Sequence, residues 1–259
     1  MDFNILFLSL IQGISEILPI SSSVNLHFFS SIFNINNFSF SLKIALHAGS
    51  LLTLIVFFRK EIFDIFNGLF SQKKLSETHF FPLIFGTIPV VIFGYLSRDF
   101  IKEFDAPKIM GISSILFGII LVVFDKLSCS KSRTDKTPIP LFKSFLIGCF
   151  QSIAIFPGVS RLGICITASR MCGLDRRKAI YFSLLLAIPS IFGSLVLELL
   201  DCYKTHSFAA FSNDSLIGIF LTTIIGLFAI FPCVKYMEKS GFLALTIYRV
   251  LIGSAICFL

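Results

Sequence analysis

Charge is what this chain has least of. Lys, Arg, Asp and Glu make up 14% of its 259 residues, apolar side chains 55%, and mean hydropathy is +0.89. Soluble domains average about 25% charged and 45–50% apolar residues, so a water-soluble globular domain is excluded. Paired cysteines are missing too. The seven cysteines, at 129, 149, 165, 172, 202, 233 and 257, form no CxxC and mostly sit in apolar runs. That removes a metal or disulfide framework and leaves buried thiols. The first apolar run has no basic n-region, Asp2 being its only charge before Glu16, and no small-residue cleavage site precedes Glu16. It is expected to be mature structure and not a signal peptide. The net charge of +7 does not indicate nucleic acid, because the 33 Phe lie mostly inside apolar runs and the basic residues between them. Basic loops suit membrane topology, and their face can attract anionic lipid headgroups.

What the chain does have is apolar segments. They fall near 3–18, 20–33, 42–58, 80–97, 108–125, 144–156, 158–170, 179–200, 216–234 and 242–259, five on each side of the polar stretch 126–137. The longer ones match the roughly 20 residues that span a hydrocarbon core. In each half the first two are short and meet at a proline, Pro19 and Pro157. Broken backbone survives at membrane depth only when buried in protein or lining a cavity, so each pair predicts a re-entrant helical hairpin. The expected fold is an all-α polytopic membrane protein. It forms one integral membrane domain over 1–259, an inverted repeat of halves near 1–126 and 141–259, each a re-entrant hairpin plus three transmembrane helices. In this topology 15 of the 22 Lys and Arg fall on one side and five on the other. The positive-inside rule makes the richer side cytoplasmic, so hairpin one opens to the outside, hairpin two to the cytoplasm, and both termini lie outside.

Both broken segments carry ionisable groups, which are expensive in a bilayer and mark function by default. The first reads Gln12-Gly-Ile-Ser-Glu16-Ile-Leu-Pro19-Ile-Ser21-Ser22-Ser23. Gln12 and Glu16 share a helix face. Glu16 can ligate a divalent cation or act as a general base; the plainer reading is a packing carboxyl paired within the bundle. Ser21, Ser22 and Ser23 can cap the next half-helix, the expectation for at least two of them, or one hydroxyl and the freed amides can face an anion. The second segment reads Gln151-Ser-Ile-Ala-Ile-Phe-Pro157-Gly158-Val-Ser160-Arg161. Gly158 permits positive φ or close approach, Ser160 caps or presents a hydroxyl, and the planar Arg161 guanidinium suits bidentate phosphate binding. Alternatively, Arg161 only pairs with Glu16. His47 is expected to be a packed, hydrogen-bonded residue. Arg249 either snorkels to the outer interface or supports the site, and His79 and His206 belong to loops.

These motifs resemble those of the bacterial undecaprenyl-diphosphatase (bacitracin-resistance) family. The resemblance extends through Ala45-Leu-His-Ala-Gly-Ser-Leu-Leu52, Gly86-Thr-Ile-Pro89, Gly173-Leu-Asp-Arg-Arg177, Leu186-Ala-Ile-Pro189 and Tyr248-Arg249. It implies interdigitating re-entrant hairpins and removal of the terminal phosphate of undecaprenyl diphosphate. That step recycles the lipid carrier for peptidoglycan synthesis and underlies bacitracin resistance. It further implies a bacterial inner-membrane location with the site open to the outer face, and polyprenyl diphosphate and membrane lipids as partners, with room for a homodimer. Gln12 and Glu16 match an (E/Q)xxxE motif, and Ser160 and Arg161 the core of PGxSR. Glu16, Ser22, Ser160 and Arg161 are then the expected catalytic residues, with Mg2+ or Ca2+ near Glu16. Gln12, Ser21, Ser23, Asn25, Gly158 and Cys165 are the expected substrate-binding residues. Three positions depart from the pattern: Asn25 stands where the family has His, Leu162 where it has Ser, and Cys165 where it has Thr, with Thr167 close by. Helical direction argues against His27 substituting at the first. A polyprenyl-phosphate transporter and a catalytically weakened family member are the rival readings.

Overall fold

The computed structural model describes residues 3–35, 39–69, 78–97, 106–128, 138–204 and 213–258. Cys129, His206 and the loop charges Lys73, Lys74, Arg98, Lys102, Lys131, Arg133 and Lys136 lie outside them. The described residues form eleven α-helices and no strand. In chain order these are α1 Phe3–Ser15, α2 Ser22–Ile32, α3 Phe40–Phe57, α4 Arg59–Leu69, α5 Phe80–Leu96, α6 Pro107–Leu127, α7 Leu141–Gln151, α8 Arg161–Met171, α9 Arg176–Lys204, α10 Asn213–Ser240 and α11 Leu243–Phe258.

Four helices, α3, α6, α9 and α10, are long and apolar enough to cross a membrane. α5 and α11, counted as spans from the sequence, run 17 and 16 residues, about 25 Å at 1.5 Å per residue. α1, α2, α7 and α8 have 11 to 13 residues and cannot alone cross a core about 30 Å thick. The outward surface is apolar: on α5 alone Phe81, Phe85, Ile88, Val91, Ile92 and Phe93 are exposed. Lipid is the solvent such a face suits. α4 was not anticipated. It is a short amphipathic helix with Phe63 and Phe66 exposed among Lys60, Glu61 and Asp64, a pattern that suits the membrane interface.

With no hydrophobic drive between helices in lipid, small residues set the packing. The Gly13 backbone meets Thr222 and Gly226 of α10, Gly49 meets Ile219 and Thr222, Gly86 of α5 faces Gly148 of α7, and Gly111 of α6 faces Gly253 of α11. At the centre lies α8, buried nearly all round, where nine consecutive residues, Leu162 to Arg170, are buried among α6, α7 and α9. Its C-terminal end is held by charge. Asp125 pairs with Arg170 at 3.1 Å and Arg176 at 2.7 Å, and Arg170 also donates to the carbonyls of Leu174, Asp125 and Ser128. Arg170 and Arg176, read as loop charges, thus form a partly buried clamp joining α6, α8 and α9.

Candidate active site

Both prolines end their helices as the sequence predicts, but the two turns differ. After α1 the chain turns through residues 16–20 and enters α2 at Ser21, whose φ is 65°. A non-glycine residue there costs about 1–3 kcal/mol and persists only when its surroundings hold it. Asn25 holds it, since its Nδ2 donates to the carbonyls of Ser21 at 2.8 Å and Ile20 at 3.1 Å. Tyr248 in turn donates its hydroxyl to Asn25 Oδ1. The Ser21 hydroxyl makes no cap bond and instead meets Ser23 Oγ at 3.1 Å, so the first amides of α2 have no side-chain cap. After α7, a 3-10 turn over Ser152–Ile155 leads to Gly158, with φ 89°. A Cβ on Gly158 would lie 2.2 Å from the Met110 carbonyl oxygen, so no larger residue fits. Here the capping expectation is met, because Ser160 Oγ accepts from the Gly163 amide at 3.2 Å.

The two turns meet at Arg249. Only 1% exposed, it donates from Nη1 to the Pro19 carbonyl at 3.1 Å, from Nη2 to the Gly158 carbonyl at 3.3 Å and from Nε to Ser114 Oγ at 3.4 Å. Of the two roles open for it, its burial and its bonds to both turns favour support of the site.

Beside this junction is a cavity of about 750 Å³, a size typical of small-molecule sites. Glu16 and Arg161 face it as an ion pair, with Arg161 Nη2 3.1 Å from Glu16 Oε1. The other carboxylate oxygen, Oε2, accepts from Ser22 Oγ at 2.6 Å and Gln12 Nε2 at 3.1 Å. Gln12 also donates to Ser50 Oγ at 3.3 Å, tying α1 to α3. Among the described residues Arg161 bonds only through Nη2, so its remaining N–H groups are free for a ligand. The wall contains one carboxylate, two permanent cations (Lys43 and Arg161), two imidazoles (His27 and His47) and seven serines. Leu26, Ile35, Met110, Ile155, Phe156, Val159 and Leu162 supply its apolar side.

Of the residues singled out from the sequence, Glu16, Ser21, Ser22, Ser23, Ser160 and Arg161 line the cavity. Gln12, Asn25, Gly158 and Cys165 are not on its wall. Gln12 orients Glu16, Asn25 and Gly158 shape the turns, and buried Cys165 donates to Gln151 Oε1 at 3.4 Å within the bundle. The reverse holds for three others. His27, expected to point elsewhere, lines the cavity, as does His47, expected to be packed and hydrogen-bonded. Lys43 joins them, one helical turn from His47 on α3. The four-residue spacing of Lys43 and His47 on one helix face was the sequence signal for the α3 part of the wall.

No cluster of three His, Cys, Asp or Glu able to hold a metal exists among the described residues. Among the described residues Glu16 is the cavity's only carboxylate, and both its oxygens are engaged, so these residues offer no ready cation cage. A divalent ion fits only if ligand oxygens complete its shell, as Mg2+ commonly does with substrate phosphates.

The family model for bacitracin resistance protein BacA matches residues 5–255. The chain belongs to the BacA family. It is similar to an undecaprenyl-diphosphatase of Caldicellulosiruptor bescii, 35% identical over 98% of this chain and 96% of that one. A Pelagibacter ubique protein of the same name is 39% identical over 96% and 94%, and one from Thermosipho africanus 42% identical over 75% and 77%. Within the BacA family, then, this chain presents Glu16, Ser22 and Arg161 to one cavity and places Asn25 beneath it.

Proposed function

We propose that this protein hydrolyses undecaprenyl diphosphate to undecaprenyl phosphate and inorganic phosphate, recycling the carrier for peptidoglycan synthesis and conferring bacitracin resistance. The observation that carries the reading is the Ser22–Glu16–Arg161 constellation on the cavity wall. A nucleophile within hydrogen-bond reach of a base, the base oriented by a third group, is the signature of covalent catalysis; here Gln12 and Arg161 orient the base. The diphosphate enters beside the uncapped amides of α2, where a helix N-terminus favours an anion, and competes for Arg161, freeing Glu16. The Ser22 oxygen attacks the terminal phosphorus as its proton passes to Glu16, and the anhydride P–O bond breaks. Glu16 yields that proton to solvent, then takes one from the attacking water and returns it to the Ser22 oxygen as the phosphoserine is cleaved. Arg161 balances charge on the transferring group. The prenyl chain lies along Leu26, Ile35, Met110 and Phe156. Ser160 holds the α8 start that aims Arg161.

The reading includes an inverted repeat of re-entrant hairpins in the inner membrane, with the cavity open to the outer face. Supporting it, α1 packs on α10 as α7 packs on α5, and α6 pairs with α11. Gln12 of α1 bonds Ser50 of α3, and Gln151 of α7 bonds Ser190 of α9, a matching contact in the two halves. Every group invoked comes from one chain, so a homodimer is not required. A Mg2+ or Ca2+ ion belongs to the proposal only as a companion of the diphosphate, touching Glu16. EDTA is expected to slow phosphate release by the purified protein and either ion to restore it; release indifferent to EDTA removes the ion from the site. The function itself is tested with purified protein and undecaprenyl diphosphate. Phosphate release favours the enzyme, whereas movement of the lipid across a vesicle membrane without cleavage favours the transporter.

A further inference from the structure

Cleavage of the anhydride leaves negative charge on the bridging oxygen that departs with the lipid. Ser22's proton has gone to Glu16, so a second group that supplies one at the leaving oxygen eases its departure. Asn25 cannot: its amide does not titrate near neutral pH, and it is committed to Ile20, Ser21 and Tyr248 below the cavity wall. Lysine and arginine side chains in general hold their protons through the neutral range, which makes Lys43 and Arg161 poor candidates for the transfer. Imidazole is the side chain that gains and loses a proton in this range, and the wall holds two, His27 and His47.

We propose that His47 is the proton carrier of this cavity, donating to the bridging oxygen as the lipid phosphate leaves and recovering the proton from water before the next turnover. The proposal rests on the diphosphatase reading above. His47 is half-buried on α3 and makes no hydrogen bond or ion pair with another described residue, which leaves its ring nitrogens free for a ligand. α3 is fixed against α1 three residues further on, through the bond from Gln12 to Ser50. The charged groups that act on His47 are Glu16 from the first turn, Arg161 from α8, Glu198 from α9 and Lys43 from its own helix. α10 and α4, which also pack on α3, bring none to it among the described residues. His47, unlike His27, stands on the helix whose Ser50 shares Gln12 with Glu16. In the step proposed, the Ser22 O–P bond forms and the anhydride P–O bond breaks. The hydroxyl proton goes to Glu16 and the imidazolium proton to the leaving oxygen, so charge does not accumulate on the lipid phosphate.

The test compares phosphate release from undecaprenyl diphosphate by wild type, Ser22→Ala, His27→Gln, His47→Gln and His47→Ala across pH. His47→Gln is expected to lower kcat about 10²-fold, with KM little changed and one limb of the pH profile lost. Added imidazole restores part of the activity of His47→Ala, and His27→Gln loses less activity than His47→Gln. The proposal is overturned if His47→Gln keeps the wild-type kcat and pH profile while Ser22→Ala is inactive, or if imidazole restores nothing to a folded His47→Ala. No release from wild type would instead sink the diphosphatase reading, so the two failures are told apart.

Discussion

Glu16→Gln is expected to cut phosphate release from undecaprenyl diphosphate by about 10²–10⁴-fold, the usual worth of a positioned general base, without unfolding the protein. The side chains have the same shape. A glutamine carbonyl oxygen can still accept from Ser22 or Gln12, so the hydroxyl remains placed. What is lost is the capacity to take the proton of the Ser22 hydroxyl, whose oxygen lies 2.6 Å from Glu16 Oε2. The substitution also releases Arg161 from its 3.1 Å ion pair, which leaves the guanidinium more available to phosphate. The loss should therefore fall on kcat, with KM unchanged or lower, the pattern of an interaction made in the transition state. Steady-state kinetics and a thermal melt of the same preparation decide it. Wild-type kcat would remove Glu16 from the chemistry, and a collapse in thermal stability would make its carboxylate a packing group.

Arg249→Lys is expected to cost nearly as much activity, although Arg249 is not on the cavity wall. Its guanidinium reaches the Pro19 and Gly158 carbonyls at once, and these belong to the two turns that carry Ser22 and Arg161. Lysine keeps the charge but presents a single compact ammonium in place of a planar fork, so it can hold one turn or the other. A displacement of about 1 Å between reacting groups costs on the order of 10²-fold in rate, and that is the loss expected in kcat. Arg249→Met goes further: each carbonyl left buried without a donor costs about 1–3 kcal/mol, so the melting temperature should fall too. If Arg249→Lys retains full turnover, the turns are held together by something other than Arg249.

Much of this arrangement was legible in the chain before its fold. Hydropathy located the helices, the two prolines located the breaks, and the scarcity of charge singled out Glu16 and Arg161, which the fold joins in an ion pair. The facing of α2 was not legible. Its phase is set by Ser21 at φ 65°, a conformation that no pattern of apolar residues encodes. Helical direction was reckoned from Asn25, which is not on the wall, and so misplaced His27. Asn25 was misjudged for the same reason: read as a missing wall group, it is a buried brace whose amide meets backbone carbonyls. His47 looked like a lone histidine in an apolar span because Glu16 and Arg161, which share its cavity wall, come from distant segments. Arg249 was ambiguous because its two acceptors are carbonyls of turns, and backbone acceptors leave no mark in a sequence. α4 was read as part of a loop because its charges outweigh its apolar face, which suits a helix lying at an interface.

The most direct measurement is inorganic phosphate released when purified wild-type protein and Ser22→Ala are given undecaprenyl diphosphate under the same conditions. The account predicts one phosphate for each undecaprenyl phosphate formed by the wild type, and none above background from Ser22→Ala despite retained substrate binding. Equal release by the two proteins, or binding by the wild type without release, would contradict it.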